Sequence, residues 1–171
     1  TIRASAANVV ADSETQRFVW NAANRVKRHL FTCPGYADGN TRTTYTTTST
    51  TFVSANGGTG SKVEYLVGLA EDAVDYEMHA NAAHGVASRL CYTGVGEDST
   101  TTAAVTEAHY DAGSGADTNP GSCGRIIYPA LGYHYLELLI AVSSGTGTWN
   151  ADVERKGSAS DPRATLLKAR I

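Results

Sequence analysis

Gly132-Tyr133-His134-Tyr135-Leu136-Glu137-Leu138-Leu139-Ile140-Ala141-Val142 is the stretch whose reading decides the fold. With a period of two, His134, Leu136, Leu138, Ile140 and Val142 fall on one side, and Tyr133, Tyr135, Glu137, Leu139 and Ala141 on the other. One side is apolar apart from its histidine. The other is amphipathic and opens on two tyrosines. This pattern predicts a central strand of a β-sandwich, one face in the core and one against a neighbour. Leu, Glu and Ala also suit a helix, but Pro129 and Gly132 precede the run and Ser143-Ser144-Gly145 follows it as a turn. Strand is the better reading.

The rest of the chain is consistent with that start. Its 171 residues are enough for one domain with its own core. Only 18% are charged, and Thr, Gly, Ala and Ser are abundant, which suits short strands and many turns. The net charge of −3 gives no global attraction to nucleic acid or to an anionic membrane. Within residues 1–30, five basic residues (Arg3, Arg17, Arg25, Lys27, Arg28) face two acidic ones (Asp12, Glu14), so the remainder carries −6. A basic N-terminal segment on an acidic body suggests a contact with something acidic. No apolar run reaches the ~18 residues of a membrane-spanning helix. Cys33, Cys91 and Cys123 are odd in number and lack metal spacing, so free thiols made in a reducing cytosol are expected, with a Cys91–Cys123 bridge as the alternative.

Near the N-terminus, Ser13 to Gln16 reads as a capping box. Val19, Ala22, Ala23, Val26 and Leu30 follow at helical spacing, flanked by Phe18 and Trp20, with Arg25, Lys27, Arg28 and His29 in the last turns. One α-helix ending before Pro34-Gly35 is expected, and residues 1–35 read as an arm with a docking or oligomerisation helix. Residues 36–171 read as the β-domain. Thr41–Thr51 is a solvated strand or pair of strands. Strands are further expected over Val63–Ala70, Val74–Ala80, Val86–Tyr92, Thr102–Tyr110, Arg125–Tyr128, Thr146–Val153 and Ala164–Ile171. Loops are expected at Asn56–Gly60, Asn81–Gly85, Gly94–Thr101, Asp111–Gly124 and Lys156–Pro162. The sum is a mainly β chain, an antiparallel jelly-roll-like sandwich with one N-terminal helix.

Chemistry is harder to place. His79 and His84 have no third ligand at zinc spacing, although Glu77 and His79 share a strand face. His134 on an apolar face reads as a core or interface histidine before a catalytic base. No nucleophile elbow is present, and Gly57–Gly60 lacks the Lys-Ser/Thr pair of a phosphate loop. Asp72, Asp75, Glu97, Asp98, Asp111 and Asp117 read as solvating loop acids, without calcium spacing. Tyr36, Tyr92, Tyr110 and Trp149 would stack on a sugar if they cluster at one end, with Trp149 and Tyr110 the candidate contacts. No catalytic residue, metal or cofactor is expected.

Leu131-Gly132-Tyr133-His134-Tyr135-Leu136-Glu137, followed by Ser143-Ser144-Gly145-Thr146-Gly147-Thr148-Trp149, resembles the terminal β-sandwich modules of bacteriophage fibre and spike proteins. The general pattern extends over about residues 41–171. The resemblance implies a homotrimer, made in the host cytoplasm and displayed on the virion surface as a fibre, spike or capsid decoration protein. Under it, Tyr133, His134, Tyr135, Leu136 and Leu138 line the threefold interface. Phe18, Val19, Trp20, Arg25, Val26, Arg28 and Leu30 dock on capsid, collar or tail components. The rival expectation is a module binding host-surface glycan; an enzyme ranks third.

Overall fold

Gly132–Val142 is one unbroken strand, as its alternation predicts. The computed structural model describes residues 4–6, 9–10, 15–17, 29–34, 44–86, 88–111, 119–150 and 165–171. In chain order the strands are β1 (Ala4–Ala6), β2 (Val9–Val10), β3 (Gln16–Arg17), β4 (His29–Thr32), β5 (Thr44–Thr47), β6 (Val53–Ser54) and β7 (Lys62–Val67). They continue with β8 (Val74–His84), β9 (Arg89–Glu97), β10 (Val105–Asp111), β11 (Asn119–Ile127), β12 (Gly132–Val142), β13 (Gly147–Asn150) and β14 (Leu166–Arg170). Among the described residues the only helical element is a 3-10 turn at Ala55–Gly58. The protein is mainly β.

Two sheets are each built around an eleven-residue strand. β12 pairs with β9 along residues 136–142 on one edge, and on the other with β7 along 132–137 and β6 at 139–140. β10 lies outside β9, and β3 runs parallel to β7. In the second sheet, β8 pairs with β11 along residues 74–82. Its other edge takes β14 along 75–79 and β13 along 82–84, with β4 and β5 beyond them. All pairings but β3–β7 are antiparallel. β1 and β2 form a separate pair.

One hydrophobic cluster draws on both sheets, including Val63, Tyr65, Val95, Leu136, Leu138 and Ile140 from the first and Tyr76, Met78, Trp149 and Leu167 from the second. From Leu136 onward β12 is buried on both faces, as a central strand requires. Its second face holds Glu137, Leu139 and Ala141. A Cβ on Gly96 would lie 2.1 Å from the Ser99 carbonyl oxygen and 3.1 Å from Leu139, so glycine lets the chain after β9 lie close to the strand.

Several expectations need correction. Most of the predicted N-terminal helix, residues 18–28 with Phe18, Val19, Trp20, Arg25, Val26 and Arg28, falls outside the described residues. The two ends of its expected span are strands, β3 and β4. β4 alternates exposed His29 and Phe31 with buried Leu30 and Thr32, and a lone Leu satisfies a period of two as well as one of 3.6. Pairing with β14 settles it and joins residues 29–32 to the body, on the other side of the boundary expected at 35. Asn81–His84 and Asn119–Gly124 are ladder rather than loop: β11 pairs with β8 as far as Ala82 and β13 pairs with Ala82–His84, despite the Asn, Pro and Gly of these stretches.

Candidate functional site

The sheets end together where β9 stops, β8 begins and residues 128–131 cross from β11 to β12. Alternation aims Glu97 inward from the first sheet, and Tyr76 and its cross-strand partner Arg125 inward from the second. Glu97 accepts from the Tyr76 hydroxyl at 2.6 Å and from Arg125 Nε and Nη2 at 2.8 and 2.6 Å. The bidentate fork seals the end of the core with charge. Burial pushes the Tyr76 phenol well above its ordinary range, and its bond to Glu97 and that carboxylate's charge add to this. The phenol therefore stays a donor. The bond to Glu97 also raises the Arg125 guanidinium.

Beside this seal, Asp98 adopts the left-handed backbone region with φ of 51°, which Asp tolerates better than most residues. Its N–H donates to Tyr135 O at 3.0 Å, and its Oδ1 accepts the Tyr135 N–H at 2.8 Å. A side chain thus extends the β9–β12 ladder past the end of β9. Asp98 Oδ2 meets His134 Nδ1 at 2.6 Å, while His134 Nε2 meets the Ala130 carbonyl at 2.8 Å. A neutral ring donates to one of these acceptors; the doubly protonated ring donates to both. The Tyr65 ring lies 5.8 Å away. Burial, followed by the charges of Asp98 and Glu97, raises the Tyr65 phenol.

Between these groups lies a cleft of about 470 Å³, lined by Glu97, Asp98, Arg125, His134 and residues 126–130. Its lining includes exposed apolar side chains, Ile126 at 59% and Tyr128 at 69%, and Leu131, the next residue along the chain, is 64% exposed. His134 is a brace here. Both ring nitrogens face oxygen acceptors, so neither is turned toward a substrate as a general base. Among the described residues no group of three metal-ligating side chains forms.

Of the residues expected at a subunit interface, Tyr133 is 40% exposed and Tyr135 half-buried beside it, rings 6.4 Å apart. Tyr133 donates to Glu64, and Lys62 lies 4.7 Å over the Tyr135 ring. Leu136 and Leu138 have no exposure and belong to the chain's own core, which corrects their interface assignment. Leu30, expected to dock on the virion, is 1% exposed and packs in the same core. Trp149, expected to meet a sugar, is fully buried, donates to Thr93 Oγ1 at 2.8 Å and stacks on Tyr45. Tyr110 pairs with Leu90 in the ladder, and its side chain lies outside the described residues. Glu77 Oε1 and His79 Nε2 lie 3.1 Å apart on an exposed face. His84 is a structural histidine: Nδ1 accepts from the Val86 N–H at 3.0 Å and Nε2 meets Ser144 O at 2.5 Å, tying two turns together.

The cleft was missed in the sequence because its members are scattered from Tyr76 to His134. The only local signal was the apolar content of Ile126-Ile127-Tyr128-Pro129-Ala130-Leu131, which reads equally as a strand entrance.

No family model, curated protein or solved structure matches this chain.

Proposed function

We propose that the chain is a structural protein of a bacteriophage particle, a jelly-roll-like sandwich that assembles as a homotrimer and is displayed as a surface fibre, spike or decoration. The observation that carries the assembly is the exposed segment at the cleft. Six large hydrophobic side chains are exposed among the described residues, and four of them (Ile126, Tyr128, Leu131, Tyr133) fall within residues 126–133. Scattered exposed apolar residues are ordinary, whereas clustered ones favour a partner surface. The phage assignment rests on the resemblance of residues 131–149 to fibre and spike modules. The basic N-terminal segment would anchor the assembly to another virion protein.

Light scattering on the full chain tests the assembly. The reading expects three times the chain mass, and a monomer at micromolar concentration would refute it. Leu131→Lys with Tyr133→Arg, which can still pair with Glu64, should lower the mass to one chain and leave the melting temperature of the protomer fold nearly unchanged. With Leu136 and Leu138 in the core, Leu131 and Tyr133 stand for the exposed segment in this test.

A further inference from the structure

The bridge from Asp98 through His134 to Ala130 needs one proton more than a neutral ring beside an ionised carboxylate carries. His134 Nδ1 lies 2.6 Å from Asp98 Oδ2, and Nε2 lies 2.8 Å from the Ala130 carbonyl oxygen. A peptide carbonyl only accepts, and so does an ionised carboxylate, whereas a neutral imidazole has a single N–H. Closing both contacts takes an added proton, on the ring or shared with Asp98. His84 is the contrast. Its Nδ1 accepts from the Val86 N–H and its Nε2 faces the Ser144 carbonyl, so a neutral ring protonated on Nε2 satisfies both.

The groups around His134 leave the charge of that proton to Asp98. Glu97, at the end of β9, is met by the Arg125 fork from β11 and by the Tyr76 hydroxyl from β8. Tyr65 on β7 lies 5.8 Å from the ring. Both phenols are raised well above their ordinary range, first by burial, and stay neutral. On the opposite face of β12, Tyr133 is bonded to Glu64 and Tyr135 lies under Lys62. The His134 side chain is 15% exposed, while Asp98 keeps 48% and gives the proton a path from solvent.

Loss of the proton has a directed consequence. The one remaining N–H goes to the carboxylate, the stronger acceptor. The Nε2 lone pair then faces the Ala130 oxygen, and two acceptors at that distance repel. Ala130 lies in the 128–131 crossing, between ladders that end at Ile127 and begin at Gly132. Pro129 has no N–H to anchor it. We propose that Asp98, His134 and the Ala130 carbonyl form a proton-operated latch on this crossing, closed in mildly acidic solution and released as pH rises. Its output is the position of the segment that lines the cleft and exposes Tyr128 and Leu131. His134 is a positioning residue. The latch belongs to the single chain and stands apart from the trimer.

Amide hydrogen exchange of the full chain, read by mass spectrometry at about pH 5.5 and about pH 8 and divided by the intrinsic rate at each, tests it. Protection over residues 126–133 should fall about 10-fold or more at the higher pH, while that over residues 136–142 holds. His134→Gln, which has no proton to gain, should show low protection at both. Asp98→Asn decides the matter. The introduced amide tolerates the same backbone, accepts the Tyr135 N–H and donates to Nδ1, so a neutral ring donates to Ala130. At about pH 8 this variant should regain the protection that wild type has at about pH 5.5. Wild-type protection that ignores pH, or a fall at about pH 8 that persists in Asp98→Asn, would overturn the latch. If that persistent fall accompanies dissociation to single chains by light scattering, the pH response belongs to the subunit contact and the trimer stands. A wild type that is monomeric at both pH values and still shows the response reversed by Asp98→Asn would support the latch and refute the trimer.

Discussion

Glu137 sits at the middle of β12 with no exposure, one oxygen accepting from the Ser61 hydroxyl and the other 3.4 Å from Lys62 Nζ. A buried carboxylate is tolerated only with such partners, and removing one leaves the other uncompensated. Lys62→Met should therefore destabilise by about 2–4 kcal/mol, whereas Lys62→Met combined with Glu137→Leu should recover most of the loss. Urea unfolding of the two single variants and the double variant reads the coupling, and additive losses would refute it. Cys123 offers a pH-dependent check. Burial, with help from the Glu107 charge, pushes its thiol up to about 11 from 9.0. At pH ~8.5 its alkylation should be roughly 50- to 100-fold slower than that of an exposed thiol. Because the folded thiol ionises later than the unfolded one, its contribution to stability is present below pH 9.0 and lost as pH rises through about 11.

At the scale of elements, the two hub strands bear the fold. Leu138→Asp would bury an unpaired charge inside β12, beyond what a marginally stable domain absorbs, and should abolish soluble protein. Gly124 tests the other hub. A Cβ there would lie 2.2 Å from the Tyr76 carbonyl oxygen, inside the β8–β11 ladder. Gly57 has φ of 63° but open space around it. Gly124→Ala should therefore lower the melting temperature well beyond Gly57→Ala, whose backbone strain costs only about 1 kcal/mol. Equal effects would mean that β11 is not held closely to β8. Alternation made strands such as β7, β8 and β12 legible, because each shows one buried and one less buried face over part of its length. β11 was not legible: Asn119-Pro120-Gly121-Ser122 has turn composition, and only its partner makes it a strand.

At the scale of the molecule, the Tyr76–Glu97–Arg125 seal joins the two sheets at one end. Arg125→Met should cost about 1–3 kcal/mol by leaving Glu97 part-paired against the core. It should do so without the mass change expected of Leu131→Lys with Tyr133→Arg. Assembly and closure of the sheets are then separable properties, measured by light scattering and by unfolding of the same variants. A loss of both in Arg125→Met would show that the cleft and the subunit contact are one surface.

The sequence by itself determined the fold class and the central strand, since a period of two over eleven residues between turn signals leaves a backbone few alternatives. It also determined the internal location of apolar positions on one strand face, such as Val63, Tyr65 and Val67. Tertiary structure alone decided which aromatics are internal. Trp149 and Tyr128 are both aromatics beside turn residues in the chain, yet one is fully buried and the other 69% exposed. It also decided that His29–Thr32 is a strand, and that Tyr76, Glu97, Asp98, Arg125 and His134 meet. Local periodicity reports which face a side chain takes. Pairing between strands far apart in sequence decides which faces meet, and no local pattern encodes that.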